Sequence, residues 1–256
     1  FLLLHLFNWK ETKQELTTPP LLSGMATFPM AGMILSTYVF RLFPHLPLVA
    51  QGLWWFSFLL DVALIAGFTI KFAYPGKRVN ATPSWTVLYV GIAVAALTYP
   101  LVGIIEIAYA TLSFGFLLTF YLYPLIYSDL KKHPLPLAML GQEGIYCAPF
   151  SLLLASLVRV GGAGLPTWLL IVMILASQSF FFFVLTRLPN ILKQGFQPAF
   201  SALTFPTIIT ATSLKMAQGI LKLPFLDYLV LSETIICLII LLFVLGAYLI
   251  WLRKKV

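Results

Sequence analysis

Long apolar segments dominate this chain, and short polar or Pro- and Gly-bearing stretches separate them. A helix needs roughly 20 largely apolar residues to cross the hydrocarbon core of a bilayer. The pattern predicts eight such helices, at about 19–42, 47–72, 83–100, 104–128, 136–158, 165–187, 197–218 and 224–251. The alternation typical of a membrane barrel is absent, and the segments are too long for barrel strands. The sequence therefore predicts an all-α, polytopic membrane helical bundle.

Composition and charge add an orientation to this bundle. Hydrophobic residues make up 61% and charged residues 9% of the 256 residues, and the mean hydropathy of +0.98 excludes a soluble domain. Twelve of the sixteen Lys and Arg fall on one side of the series, and only Arg41, Arg159, Lys215 and Lys222 fall on the other. The positive-inside rule then predicts a cytoplasmic C-terminus in a plasma (inner) membrane. The net charge of +8 reports topology and attraction to the lipid bilayer, so no nucleic acid is expected as a partner.

Helix breakers recur at a regular spacing along the chain. Pro29 in "TFPMAG", Gly91 in "YVGIAV", Pro149 in "CAPFSL" and Pro206 in "TFPTII" lie near the middle of every second span, 62, 58 and 57 residues apart. This period predicts four tandem helical hairpins, each with one broken and one uninterrupted helix. Backbone breaks in a membrane are tolerated where they line a water-filled cavity, which favours one shared axis. Because prolines are common in membrane helices, accidental spacing is the alternative.

The broken helices also carry hydroxyl groups, whereas the last span is dominated by Ile and Leu. This contrast predicts an inner ring that lines a pore and an outer ring that faces lipid, although helix packing alone also favours small polar residues. The candidate pore-lining residues of the last broken helix are Ser201, Thr204, Thr207 and Thr210.

Ionisable residues within the membrane are functional candidates by default. Glu143, six residues before Pro149, is interpreted as a proton-coupling carboxylate or a guard of the inner mouth, or as an acid that the helix dipole favours near an N-terminus. We expect Asp61 to pair with a neighbouring helix, and Glu233 to be solvated near the outer face. No metal, nucleotide or nucleophile motif occurs, so the sequence predicts no metal site, no cofactor and no enzyme.

Four stretches resemble the third, fifth, seventh and ninth helices of the tellurite-resistance/dicarboxylate transporter family: "GMATFPMAG", "TPSWTVLYVGIAVAAL", "APFSLLLASLV" and "FQPAFSALTFPTIITATS". That family includes bacterial tellurite-resistance protein A, fungal malate and sulfite transporters and the plant guard-cell slow anion channel. The resemblance runs from residue 1 to 256 and implies ten helices in five hairpins around a central pore, assembled as a homotrimer. The apolar "FLLLHLF" at residues 1–7 is too short to span. The chain is therefore expected to be one transmembrane domain, 1–256, that lacks the first helix and part of the second, and its short loops indicate a bacterial origin.

The resemblance also implies a gate. Phe205 matches the phenylalanine that plugs the family's pore, and by the repeat Phe28 is its counterpart, with Pro29, Gly91, Pro149 and Pro206 as the pore kinks. A ring at a constriction can close a pore by occlusion and by excluding water. An ordinary packing aromatic is the alternative, since the chain has 22 phenylalanines.

Two functions follow from these expectations. The first is a membrane channel or transporter that passes small inorganic anions through a Phe-occluded pore. The second is a proton-coupled C4-dicarboxylate (malate) transporter or sulfite exporter, in which Glu143 would carry the proton. Coupled carriers commonly pair an anionic substrate with a basic residue at the midplane, and the inner helices have none at that depth, which favours the channel.

Overall fold

The structure is a computed structural model that describes residues 18–74 and 78–253. In these ranges the chain forms helices and short turns and contains no β-strand, so the all-α prediction is confirmed. The α-helices are α1 (Pro19–Gly24), α2 (Thr27–Leu42), α3 (Pro47–Phe68), α4 (Ser84–Gly91), α5 (Val94–Thr98), α6 (Ile105–Lys132), α7 (Ala148–Gly161), α8 (Thr167–Lys193), α9 (Thr204–Leu221) and α10 (Pro224–Arg253). Tighter 3₁₀ segments at Leu137–Cys147 and Pro198–Leu203 lead into α7 and α9, and a π-helical turn, Thr69–Ala73, ends α3. The apolar stretch at residues 1–7 lies outside the described residues.

Each of the eight predicted spans is helical, but they are not equally apolar. Within residues 18–74 and 78–253, six helical stretches are long and apolar enough to cross a membrane, or seven if α4 and α5, bent by 45° at their break, form one span. The predicted span 197–218, which overlaps most of α9, is not among them. Its hydroxyls, Lys215 and Gln218 lower its hydropathy, although α9 packs between α7 and α10 like a bundle helix. The chain is a multi-pass membrane protein.

A boundary between two helical elements lies near each of the four positions of the repeat, and the prolines follow three of these boundaries. Pro29 and Pro206 are the third residues of α2 and α9, and Pro149 is the second residue of α7. The first four amide groups of a helix have no partner within it, so a proline there removes no hydrogen bond. These prolines therefore begin a second half-helix rather than interrupt a continuous one. Gly91 is the last residue of α4.

Two further prolines show that proline alone does not break a helix in this bundle. Pro124 and Pro189 lie inside α6 and α8, and both helices continue through them. These are the second helices of their hairpins, in which the repeat predicts no break.

Burial distinguishes central from peripheral helices. Seven of the eight residues of α4 are buried, and α7 is buried without interruption from Ala148 to Ser156. By contrast, α3 and α10 expose rows of large apolar side chains, such as Leu48 and Leu242. Since exposed Leu and Ile are favourable only against lipid, α3 and α10 form part of the outer surface of the bundle.

The two 3₁₀ segments pack directly on one another. A 3₁₀ helix has three residues per turn, so residues three apart share a face. Gly141 and Gly144 form such a face on Leu137–Cys147, and their backbone approaches Ala199 and Ala202 so closely that an added Cβ would meet the carbonyl oxygens of these alanines. Small residues at this spacing therefore allow the backbones of the two 3₁₀ segments to touch.

Candidate functional site

A large cavity of the described chain lies between α2, α3 and α9. Its volume is about 790 Å³, and its lining is almost entirely apolar. The residues that line it are Thr27, Phe28, Met30, Ala31, Gly32, Ile34, Leu35 and Tyr38 of α2, Leu53, Phe56 and Ser57 of α3, and Phe205 of α9. The structure thus brings Phe28 and Phe205, which are 177 residues apart in the sequence, to one cavity.

The two phenylalanines occupy equivalent local structures. Each is the second residue of its helix, within a Thr-Phe-Pro triplet that opens α2 or α9. The Thr27 hydroxyl donates a hydrogen bond to the Gly24 carbonyl oxygen at 2.9 Å, and the Thr204 hydroxyl donates one to the Ser201 carbonyl oxygen at 2.7 Å. Each threonine thereby satisfies a carbonyl on the far side of the break, where an unpaired group in the membrane is expensive. The triplet places an aromatic ring at the start of a half-helix.

The cavity contains no acidic side chain that would repel an anion. Neither α2 nor α9 has an acidic residue in its first turn, and no carboxylate lines the cavity. The backbone amides at these helix starts are already in use, since the Phe28 amide donates to the Met25 carbonyl oxygen at 2.9 Å. An anion near the two rings would therefore meet neither a repelling carboxylate nor a strongly binding cationic side chain.

None of the four predicted pore-lining hydroxyls lines the cavity. Thr207 and Thr210 are completely buried, and their hydroxyls donate to the Leu203 and Pro206 carbonyl oxygens of the preceding turn. Thr204 is half-buried in its hydrogen bond across the break, and Ser201 is exposed and donates to the Pro198 carbonyl oxygen at 3.1 Å.

The reason is the rotation of 100° per residue along an α-helix. The face of α9 that carries Phe205 continues through Ile208 and Thr212, both of which are exposed. Thr207 and Thr210 lie on the opposite side, against neighbouring helices.

Of the remaining two positions of the repeat, only Gly91 contacts a residue that lines the cavity. Gly91 is buried, and a Cβ on it would lie 2.6 Å from the Met30 sulfur, so glycine is needed for Met30 to pack where it does. Met30 in turn lines the cavity. Pro149 is buried in α7 and does not reach the cavity.

Glu143 lies in an ion pair, which none of the interpretations of this residue from the sequence included. Its two carboxylate oxygens accept hydrogen bonds from Nε and Nη2 of Arg187, each at 2.9 Å. The pair joins the 3₁₀ segment that begins one hairpin to α8, which ends it. Because both carboxylate oxygens of Glu143 are bound by Arg187, the geometry favours a role in holding these two elements together.

The preceding hairpin contains an ion pair in which the order along the chain is reversed, with the arginine first and the acid second. Asp129, near the end of α6, accepts hydrogen bonds from both Nη atoms of Arg78 at 2.5 and 3.2 Å, and also one from the Ala81 amide at 2.8 Å. The hydrogen bond to Asp129 raises the pKa of the Arg78 guanidinium above its usual value. Asp129 and Arg187 are 58 residues apart, which is the period of the repeat. Two successive hairpins are therefore each closed by one bidentate pair.

Two carboxyls within the helices have no partner in the described residues. Asp61 of α3 is completely buried, and neither of its carboxyl oxygens forms a hydrogen bond, so the expectation that it pairs with a neighbouring helix is wrong. Glu233 of α10 is 1% exposed and equally unpartnered, so the expectation that it is solvated is also wrong. Distance from a helix end does not reveal which face of the helix is covered.

Some cavity residues were not singled out in the sequence. Thr27 shares the Thr-Phe-Pro triplet with Thr204, so the repeat held a signal for it. Ser57 lies against Gly32, where an added Cβ would clash with the Ser57 side chain. No pattern in the sequence announces that contact, because it depends on how α2 and α3 face each other.

Comparison with protein families gives a match over nearly the whole chain. The matching family is SLAC1, described as voltage-dependent anion channel, and the match covers residues 1–249. A comparison with the curated proteins finds no match.

Proposed function

Since this chain belongs to the SLAC1 family of voltage-dependent anion channels, we propose that it passes small inorganic anions along the cavity between α2, α3 and α9, with Phe205 and Phe28 as the gate. The family consists of anion channels and transporters, and the helices of this chain are those of a multi-pass membrane protein. The anion path, the gate and the oligomeric assembly are our proposals beyond the family match.

One observation carries the proposal. Phe28 and Phe205 come from opposite ends of the chain, open two half-helices in the same way, and line a single cavity of about 790 Å³. Two packing aromatics would need no common cavity. Rings that face one cavity at the same step of two half-helices can close it together, by occlusion and by keeping water out.

Selectivity follows from the same local structure. Conduction requires a site that attracts the ion enough to enter but holds it weakly enough to leave. The cavity has neither an acid to repel an anion nor a basic side chain to trap it. Small, compact anions suit such a lining better than a dicarboxylate, whose two carboxylates each need a binding group at a fixed position.

The resemblance supports three further parts of the proposal. We take the protein to be a homotrimer with one pore per subunit, to lie in a bacterial inner membrane, and to have its C-terminus in the cytoplasm. In this arrangement Pro29 and Pro206 fix the half-helices that carry the gate, and Gly91 and Pro149 shape the helices behind them.

The test is anion current through the full-length protein in planar bilayers. Phe205→Ala is expected to raise chloride and nitrate current by about tenfold or more, the change given by ~1.4 kcal/mol in the open–closed equilibrium. Phe28→Ala should raise it in the same direction. Phe243→Ala is the matched control, because Phe243 on α10 is 49% exposed, as Phe28 is 48% exposed, but does not line the cavity.

Two results would contradict the proposal. An equal rise with Phe243→Ala would show that loosening the bundle anywhere increases current. Absence of current in every variant, together with pH-dependent malate uptake that Glu143→Gln abolishes, would make the protein a coupled carrier.

A further inference from the structure

Glu233 is a buried carboxyl of the described chain that has a polar side chain beside it but forms no hydrogen bond of ordinary geometry. It lies on α10, 1% exposed, and neither Oε1 nor Oε2 forms a hydrogen bond. The Gln178 side chain of α8 lies close enough to interact with it, yet the amide nitrogen and oxygen of Gln178 also lack a hydrogen bond of ordinary geometry. Four buried polar atoms thus meet without being satisfied, which is uncommon in a folded interior.

The hydroxyl and thiol groups around this pair are already committed. The Cys237 thiol donates to the Thr207 carbonyl oxygen at 3.1 Å, and the Cys147 thiol donates to the Gly144 carbonyl oxygen at 3.3 Å. The Thr207 hydroxyl donates to the Leu203 carbonyl oxygen at 2.8 Å. An ionised Glu233 would therefore find the Gln178 amide as its one uncommitted donor among these groups.

No positive charge offsets the burial. The titratable groups that lie close enough to feel the charge of Glu233 are the thiols of Cys147, the last residue of the 3₁₀ segment before α7, and of Cys237, on its own helix. From α8 the polar neighbour is Gln178, and within the described residues no Lys, Arg or His acts on the carboxyl. An isolated charge in such an interior costs several kcal/mol, so the packing seen here accommodates the neutral acid.

The position of Glu233 links it to the helix that carries the gate. One turn beyond Glu233 on α10, Cys237 makes its hydrogen bond to Thr207 of α9. Thr207 lies two residues after Phe205 and one after Pro206. Ionisation of Glu233 would draw water or new donors between α8, α9 and α10, and the contact closest to Phe205 on that side would be disturbed.

We propose that Glu233 is a proton-binding site inside the membrane, that the proton keeps α10 packed on α9, and that release of the proton to water frees α9 and raises anion flux. The first part stands independently of transport. The link to flux rests on the proposed function and predicts that the anion current is larger at alkaline pH.

The proton site is tested by infrared difference spectroscopy of the full-length protein in lipid vesicles. The wild type at neutral pH should show a C=O stretch from a protonated carboxyl that disappears as the pH is raised. Asp61 is also buried without a partner and can add to this band, so Glu233→Gln should lose the component that Glu233 contributes, and Asp61→Asn should retain that component. Glu106→Gln, which alters an exposed acid in the first turn of α6, should retain it too. An unchanged band in Glu233→Gln would overturn the proton site.

The link to flux is tested by anion current at a series of pH values. Wild type and Glu106→Gln should show current that rises with pH by about fivefold or more, the lower end of the usual coupling between two sites. Glu233→Gln keeps the shape of the neutral acid, so its current should stay at the low level at every pH. A wild-type pH dependence in Glu233→Gln would overturn the coupling. If no protein conducts anions, the proposed function fails, while the infrared result still decides the proton site.

Discussion

Buried carboxyls are the side chains that a membrane interior constrains most, because a charge there must be paired or neutralised. In the described chain the four carboxyls that are buried or half-buried form two classes. Asp129 and Glu143 each receive two hydrogen bonds from an arginine, whereas Asp61 and Glu233 receive none. The first class holds helices together through charge, and the second is stable without charge. Substitution by the neutral amide should therefore have opposite consequences in the two classes.

Asp129→Asn should destabilise the protein and Asp61→Asn should not. An amide at position 129 removes the charge that Arg78 binds and replaces one acceptor with a donor, so the free energy of unfolding should fall by about 1–3 kcal/mol. At position 61 the amide removes a group that gains nothing from being ionised, so stability should be unchanged or higher. Thermal unfolding of the two variants and the wild type in the same detergent measures the difference. An equal loss in Asp61→Asn would show that Asp61 is charged and paired in the protein.

For single residues, the sequence predicts which side chains are candidates better than it predicts which way they face. The repeat singles out Phe28 and Phe205, and they do share a cavity. It also favours Thr207 and Thr210 because they are hydroxyls in the same helix, but both are buried on the far side of α9. A hydroxyl faces the cavity only if it lies on the same side of α9 as Phe205. That depends on where α9 begins and on how the helix is rotated against its neighbours, and the sequence gives neither.

Among the helical elements, the tight contact of the two 3₁₀ segments explains why small residues recur three positions apart, a spacing that differs from the α-helical period of 3.6. Gly141 and Gly144 are three apart, as are Ala199 and Ala202, which is the period of a 3₁₀ helix. A 3₁₀ segment of eleven residues, Leu137–Cys147, is longer than such helices commonly are. Its contact with Pro198–Leu203 therefore accounts for part of its stability.

Gly144→Ala tests this contact directly. The new methyl would lie 2.6 Å from a Leu203 methyl and 2.8 Å from the Ala202 carbonyl oxygen, so the two segments must separate. We expect a loss of about 1–3 kcal/mol in the free energy of unfolding, as for other overpacked interiors. Gly219→Ala is the control, because Gly219 lies in α9 with no atom within 4 Å of the added methyl, and alanine favours a helix by up to about 1 kcal/mol. The contact is unimportant if both variants unfold at the temperature of the wild type.

The elements also show where the sequence is a reliable guide and where it is not. Apolar length predicts all eight helical segments, since the membrane leaves few alternatives. Proline is less reliable: Pro29, Pro149 and Pro206 follow breaks, but Pro124 and Pro189 lie in helices that continue. A proline in the first turn of a helix removes no hydrogen bond, whereas Pro124 and Pro189 each remove one and the helix still continues, so proline alone does not mark where a helix ends.

For the whole molecule, the distribution of charge predicts which loops face the cytoplasm. The arginine pairs that close two successive hairpins, at Asp129 and Glu143, lie on the side that has twelve of the sixteen Lys and Arg. His133 follows α6 on this same side, and His45 lies between α2 and α3 on the other. Both are exposed, and an odd number of predicted spans lies between them. The two histidines should therefore be on opposite faces of the membrane.

Cysteine labelling in intact cells can decide this orientation with little background. The native Cys147 and Cys237 are buried, so a membrane-impermeant maleimide should leave the wild type unlabelled. His45→Cys should be labelled from outside, whereas His133→Cys should react only after the membrane is permeabilised. The reverse pattern would place the charge-rich face outside, against the positive-inside rule, and would move the C-terminus out of the cytoplasm. Labelling of both sites in intact cells would contradict the bundle itself, because three spans could not then separate them.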